Sequence, residues 1–234
     1  LGVLREIVAT ETNTPRPAAS NLFGGDMLAL TNTSDFEPIK PHYQQLPIPI
    51  LDSSDPGCNL VINASAISDP HKRVASLRQA VQQFPNSREA KLRLANNLIE
   101  VGTYKEVEEL LAEVEAMDAW DWRVLWYRGR SLMAQGKAKE AQTAFDQVYF
   151  DLPGELVPKF ALGLAAEMAR NFKLAIGMYD LVSRTDPSYV SAAFGLARCL
   201  GATGDRKGAV AALARVPQTS NLFTRSRVEI ARTL

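Results

Sequence analysis

Histidine and cysteine are nearly missing from this 234-residue sequence, which holds two of each. His42 and His71 have no Cys, Asp or Glu at metal-ligand spacing, so no zinc or other metal site is indicated. Cys58 and Cys199 lie far apart in dissimilar surroundings, which argues against a disulfide framework and for a reducing, cytoplasmic setting. Cys199 falls within a helical pattern where a buried thiol is expected. Cys58, in "DPGCN", is open to exposure but has nothing basic beside it to activate it. Net charge is also missing, since 26 basic residues balance 26 acidic ones. That argues against nucleic acid or an anionic membrane as a partner. No apolar run approaches the roughly 18 residues of a membrane span. Gly24-Gly25-Asp26 is not followed by Lys-Ser/Thr and is a turn rather than a phosphate loop. Acidic neighbours such as Glu108 and Glu109 read as a solvated helix face, and no general acid or base stands out. The first residue, Leu1, is not Met and no leader peptide follows it, so the sequence reads as part of a longer chain.

What is present divides into two grammars. Residues 1–67 carry seven of the thirteen prolines, Pro15, Pro17, Pro38, Pro41, Pro47, Pro49 and Pro56. Proline at that density forbids long helices and central strands. The apolar stretches "NLFGGDMLAL" and "LPIPILD" nevertheless speak against a plain disordered linker. The segment 13–67 therefore reads as an extended arm, pinned by Phe23, Leu28 and the Ile48/Ile50 pair, with "CNLVINA" as a short strand. Before it, residues 1–12 form a short amphipathic helix with Leu1, Leu4, Ile7 and Val8 on one face.

From Ser68 onward helical periods run almost unbroken, and a repeat emerges. Ala95, Gly129, Gly163 and Ala197 stand 34 residues apart. Val107, Ala141, Ala175 and Ala209 keep the same interval, as do Leu111, Phe145, Tyr179 and Leu213 and the four valines Val114, Val148, Val182 and Val216. Gly102, Gly136 and Gly204 share one turn position, with Arg170 in the fourth place; Pro85, Pro153 and Pro187 share another. Small residues at positions 8 and 20, a large one at 24 and Pro at 32 resemble the tetratricopeptide repeat. The expected fold is all-α: a right-handed superhelical tetratricopeptide α-solenoid behind the Pro-rich arm. A capping half repeat spans 68–87, four repeats span 88–221, and a capping helix spans 222–234.

In such an array, positions 2, 5, 6, 9, 12 and 13 of each first helix face a groove. Position 5 reads Leu92, Trp126, Phe160 and Phe194; position 9 reads Asn96, Arg130, Leu164 and Arg198. Asn96, Trp126, Arg130, Phe160, Phe194 and Arg198 form the candidate partner groove, suited to a peptide with acidic groups. The same aromatics would serve equally as packing against the next helix, and so would Trp122 with Trp126. In "SAAFGLARCLGATGD" (191–205), Gly195, Gly201 and Ala202 fall on groove positions, and the repeat does not ask for their missing side chains. The carboxylate clamp of chaperone-adaptor repeats would require basic and amide residues where this chain has Leu92, Asn96, Tyr127, Val157 and Ala161. Asn96 alone fits, which speaks against a chaperone-tail receptor.

The segments between framework positions are more specific. "WDWRVLWYRG" (120–129), "DLPGELVPKFAL" (151–162), "VSAAFGLAR" (190–198) and "GDRKGAVAALARVPQTSNLFT" (204–224) resemble the C-terminal part of the bacterial protein kinase G family of serine/threonine kinases. "LGVLREIV" is similar to the last helix of that family's kinase lobe, and "PRPAASNLFGGDMLAL" to its linker. The resemblance implies a region that supports its own kinase domain, assists substrate choice and mediates homodimerisation. It implies a forkhead-associated-domain protein among the substrates. No Gly-rich loop, Val-Ala-Ile-Lys, His-Arg-Asp or Asp-Phe-Gly occurs. No catalytic or cofactor-binding residue is therefore expected in this chain, and ATP and Mg²⁺ would belong to a kinase domain outside it. The alternatives are a stand-alone scaffold or dimerisation protein with no kinase attached and, more remotely, a lipid- or quinone-like ligand on the arm.

Overall fold

The computed structural model describes residues 7, 8, 10, 11, 20–24 and 39–234. It resolves into two compact units, one made of residues 49–151 and the other of residues 152–234 with the chain up to Ile48. Eleven α-helices lie among the described residues. The 49–151 unit holds α1 (Cys58–Ser65), α2 (Pro70–Gln83), α3 (Arg88–Glu100), α4 (Tyr104–Met117), α5 (Trp122–Ala134) and α6 (Ala138–Asp151). The other holds α7 (Leu156–Met168), α8 (Phe172–Thr185), α9 (Val190–Ala202), α10 (Arg206–Leu213) and α11 (Phe223–Thr233). The fold is the expected all-α tetratricopeptide arrangement of helix hairpins.

Helix starts follow from short polar side chains placed ahead of apolar periods. Asp69 accepts from the amides of His71 and Lys72 and has Pro70 behind it as the first helical residue. Ser87, Asp121 and Asp205 cap α3, α5 and α10 in the same manner. Each hairpin then reverses through three residues: 101–103, 135–137, 169–171 and 203–205. In all four turns the amide after the reversal point reaches back, from Thr103, Lys137, Asn171 and Asp205 to the carbonyls of Leu98, Leu132, Ala166 and Leu200 at 2.8–2.9 Å. This motif needs a left-handed residue. Gly102, Gly136 and Gly204 supply it with φ of 78°, 76° and 89°, and Arg170 is forced into it at 60°.

Volume is conserved across each hairpin crossing. A Cβ on Gly129 would stand 2.7 Å from the Phe145 ring, and one on Gly163 would stand 3.1 Å from Tyr179. The two glycines thus make room for the two aromatics. The repeats that carry Ala95 and Ala197 have the smaller Leu111 and Leu213 at the matching position, and all four large residues are buried. Close packing of this kind ties the size of the small residue to that of its partner.

The arm departs from the expected extended form. "CNLVINA" lies in helix α1, not a strand. Its buried residues are Cys58, Val61 and Ala64, spaced by three, so the governing period is helical, and seven residues were too few to show it. Cys58 is consequently buried. Upstream, Tyr43–Gln45 form a 3-10 turn, capped by the His42 ring nitrogen accepting from the Gln44 amide at 3.3 Å. Phe23–Gly24 and Ile48–Pro49 are short strands. Phe23, Ile39, Tyr43 and Leu46 are buried, whereas Ile50 is 47% exposed and does not pin the arm. Of the expected helix over 1–12, Ile7, Val8, Thr10 and Glu11 are helical, with Ile7 and Val8 exposed. Leu28 lies outside the described residues.

Candidate functional site

In the 49–151 unit, the chain from Pro49 to Gly57 is fastened to α3. Asp55 does much of this. Its carboxylate accepts from the Gly57 amide at 2.8 Å, from the Glu89 amide at 3.1 Å and from the Ser87 hydroxyl. The Glu89 amide belongs to the first turn of α3, where the helix leaves donors unpaired and favours negative charge. Gly57 lies so close that a Cβ there would collide with the Ser87 hydroxyl.

One turn further along α3, the contact changes from capping to main-chain recognition. Arg93 donates from Nη2 to the Pro49 carbonyl at 2.6 Å. Glu89 lies four residues earlier on the same face, where the Asp52 backbone favours its carboxylate form. The Glu89 carboxylate is itself held by Arg123 of α5, and the Arg93 Nε stands 3.9 Å from it. Arg123 in turn makes paired hydrogen bonds to Asp121 at 2.8 and 2.6 Å. Glu89 and Arg123 occupy position 2 of successive repeats, so stacking brings opposite charges together. Burial raises the Glu89 pKa despite Arg123 and Arg93. It also pushes the Tyr127 phenol up, against the opposing pull of Arg93 and Arg130.

The expected groove residues of this unit continue the α3 and α5 faces. Asn96 is buried, and its Oδ1 has no hydrogen-bond partner. Trp126 has no exposed surface and meets the Phe145 ring edge-on at 5.3 Å and 64°. Arg130 is buried as well, whereas Trp122 is partly exposed. Trp126 is therefore a wall residue and not an accessible anchor. The reason is the Gly129–Phe145 crossing, which opens a slot that the indole closes.

The other unit treats its groove positions in a similar way. Phe160 is buried with its ring 5.8 Å from that of Tyr179. The Tyr179 hydroxyl donates to Glu167 at 2.8 Å. Arg198, expected to offer its charge to a partner, instead grips Glu167 from Nε and Nη2 at 2.7 and 2.8 Å. Phe194 is buried but borders a pocket of about 200 Å³ with Ile39, Arg198, Gly201, Leu213 and Glu229. Gly201 has open space where a Cβ would stand, as an open floor requires. Gly195 does not: its Cβ would stand 2.6 Å from the Tyr179 ring, so its small size is a packing demand of the neighbouring repeat. Cys199 is buried, with its thiol pushed up to about 12, and is unreactive.

Glu89, Arg93, Arg123 and Glu167 were not legible as site residues. The available signal was the opposite charge at one repeat position in neighbouring repeats, Glu89 against Arg123. Among the described residues, no cluster of His, Cys, Asp and Glu could hold a metal ion, and no helix is long and apolar enough to cross a membrane.

Hairpins with Gly-ended turns and small-against-large crossings define a tetratricopeptide-repeat protein. A thermophilic TPR protein of Thermus thermophilus superposes with a TM-score of 0.59 at 15% identity, covering 76% of this chain and 96% of that one. At that identity the likeness speaks for the fold alone. The family model described as "Protein kinase G tetratricopeptide repeat" matches residues 39–234, and the chain belongs to that family. Over its whole length it is 34% identical to the serine/threonine-protein kinase PknG of Mycolicibacterium smegmatis and 33% identical to that of Mycobacterium leprae. It spans about a third of the length of those relatives, 34% and 33% respectively.

Proposed function

We propose that this chain is the protein-interaction region of a serine/threonine protein kinase, supporting its kinase domain, recruiting a protein substrate and contributing to homodimerisation. The observation that carries the reading is the full-length alignment to two kinases of which the chain amounts to one third. The chemistry of phosphoryl transfer, with its ATP and Mg²⁺, then belongs to the remaining part of the polypeptide, and these residues hold the substrate. Docking of this kind acts on capture rather than on chemistry. A forkhead-associated-domain protein is the substrate class to test first, followed by other proteins of the same cell. The location is the cytoplasm.

The test compares the intact kinase with one lacking residues 39–234. Docking predicts a raised KM for the protein substrate with kcat for a short peptide substrate kept. Unchanged KM for the protein substrate would remove the recruitment role. Sedimentation of the same two proteins separates the dimerisation role from it. An intact reading frame without kinase motifs would leave the chain a scaffold.

A further inference from the structure

We infer that the pocket bordered by α9, α10 and α11 is a binding site for one apolar side chain, of isoleucine or methionine size, carried by an extended segment of a partner protein. The inference deepens the docking reading and rests on it. The pocket of about 200 Å³ lies wholly within the unit that holds these helices. It falls below the roughly 300–1,000 Å³ of a site for a whole small molecule and suits a single side chain. Phe194, Ala197 and Gly201 of α9 line it together with Ala209 and Leu213 of α10. A Cβ on Gly201 would meet nothing within 4 Å, so no neighbouring side chain fills the space beside α9 there.

The repeat shows what is missing from that space. Position 12 of the first helix reads Ile99, Met133, Glu167 and Gly201, at intervals of 34 residues. Ile99 and Met133 are buried, and Glu167 is buried as the acceptor for Arg198 and Tyr179. Three repeats therefore close this position with a large side chain of their own. The fourth has none, and Gly201 is exposed. Glycine inside a helix is unfavourable. Neither a positive φ nor a crowding neighbour calls for it at position 201. A side chain like that of Ile99 or Met133, supplied by another protein, fills the place that Gly201 leaves open.

Two polar side chains that line the same pocket specify the flanking main chain. Arg198 is 23% exposed, and Glu167 holds its Nε and Nη2, which leaves Nη1 to donate. Glu229 of α11 is 21% exposed, and its Oε1 accepts from Arg232 at 2.8 Å, which leaves Oε2 to accept. Each is held by its own partner, so both are set before a ligand arrives, and less ordering is left for binding to offset. The four charges of Arg198, Glu167, Glu229 and Arg232 balance. One donor and one acceptor in a neutral setting suit the C=O and N–H of a peptide group rather than an anion or a cation. The apolar floor supplies the affinity and the polar pair the orientation.

The experiment titrates the full chain with N-acetyl-methionine methylamide, a single residue with a peptide group on either side, and follows backbone amides by NMR. Saturable shifts should appear at Gly201 and the residues around the pocket, with a Kd on the order of 1 mM. N-acetyl-alanine methylamide should bind at least about fivefold more weakly, because it buries less apolar surface. Gly201→Met, which returns to the fourth repeat the side chain that Met133 gives the second, should abolish the shifts. Shifts absent from Gly201, equal binding of the two probes, or undiminished binding by a folded Gly201→Met chain overturns the proposal. If Gly201→Met does not fold, the two probes on the unmodified chain decide alone. A raised KM on deleting 39–234 without shifts at Gly201 removes the pocket and leaves docking standing. Shifts at Gly201 with an unchanged KM keep the pocket and remove recruitment of that substrate.

Discussion

Arg198 and Glu167 face each other across neighbouring repeats as a two-pronged pair, with Nε and Nη2 at 2.7 and 2.8 Å from the two carboxylate oxygens. The carboxylate also accepts from the Tyr179 hydroxyl, so one acidic side chain ties together α7, α8 and α9. Attraction to Glu167 outweighs burial and lifts the Arg198 pKa further above its ordinary value.

The first prediction concerns that pair. Arg198→Ala should destabilise the chain by about 2–3 kcal/mol, because Glu167 would stay buried with a single donor; the figure is below that of a fully buried pair since Arg198 keeps some contact with water. Arg198→Lys should rescue little, since an ammonium cannot reproduce the planar fork. Arg198→Glu should be worse than either. Urea unfolding of the three variants checks the order. Stabilities within a few tenths of a kcal/mol of the unmodified chain would return Arg198 to the role of a free groove cation.

The second prediction sets two glycines of one helix against each other. Gly195→Ala places a methyl 2.6 Å from the Tyr179 ring, whereas Gly201→Ala meets open space. Overpacking should cost about 1–3 kcal/mol at Gly195. Gly201→Ala should stabilise by about 0.5–1 kcal/mol through helix propensity. Thermal melts of the two single variants should therefore move in opposite directions. A shared direction would mean that the Tyr179 ring is not wedged against Gly195.

The third prediction exploits the one turn that lacks glycine. Arg170 holds a φ of 60° in a position where the other three hairpins place Gly at 76–89°. Left-handed backbone costs an ordinary residue about 1–2 kcal/mol. Arg170 recovers part of this by standing 5.9 Å over the Phe172 ring. Arg170→Gly should therefore stabilise by about 1 kcal/mol or slightly less, the lost cation–π contact being worth about 0.5 at an exposed site. The comparison variant Gly136→Arg should lose a similar amount. Denaturant midpoints of both decide the matter.

The framework was legible because its physics repeats. A turn that needs positive φ selects Gly every 34 residues, and a crossing that needs volume balance selects Gly against Phe145 and Tyr179 but Ala against Leu111 and Leu213. Four independent copies of one constraint make a pattern. The arm has no second copy. Seven residues of "CNLVINA" fit a strand or a helix, and Asp55, just ahead of them, finds its partners Ser87 and Glu89 more than thirty residues away in sequence. The state of the groove positions was obscured for a different reason. Position-by-position reading placed Trp126, Phe160 and Arg198 toward a groove, but it could not show that Phe145, Tyr179 and Glu167 would claim them first. Whether a groove position is open depends on what the adjacent repeat places against it, and that is a property of pairs.

The last prediction follows from Glu89. Its pKa in the folded chain stands above the ordinary 4.5, because burial outweighs the pull of Arg123 and Arg93. A carboxyl with a raised folded pKa binds its proton more tightly folded than unfolded. Its contribution to stability is then fully present below about 4.5 and is lost as pH rises through the folded value. Glu89→Gln keeps the shape but cannot titrate. The stability of the unmodified chain relative to Glu89→Gln should therefore fall as pH is raised from about 4 toward 7 and level off once the group is ionised. Urea unfolding of both proteins across that range gives the difference directly, with the other titrating groups cancelling. A difference that grows with pH would mean that Arg123 and Arg93 dominate over burial.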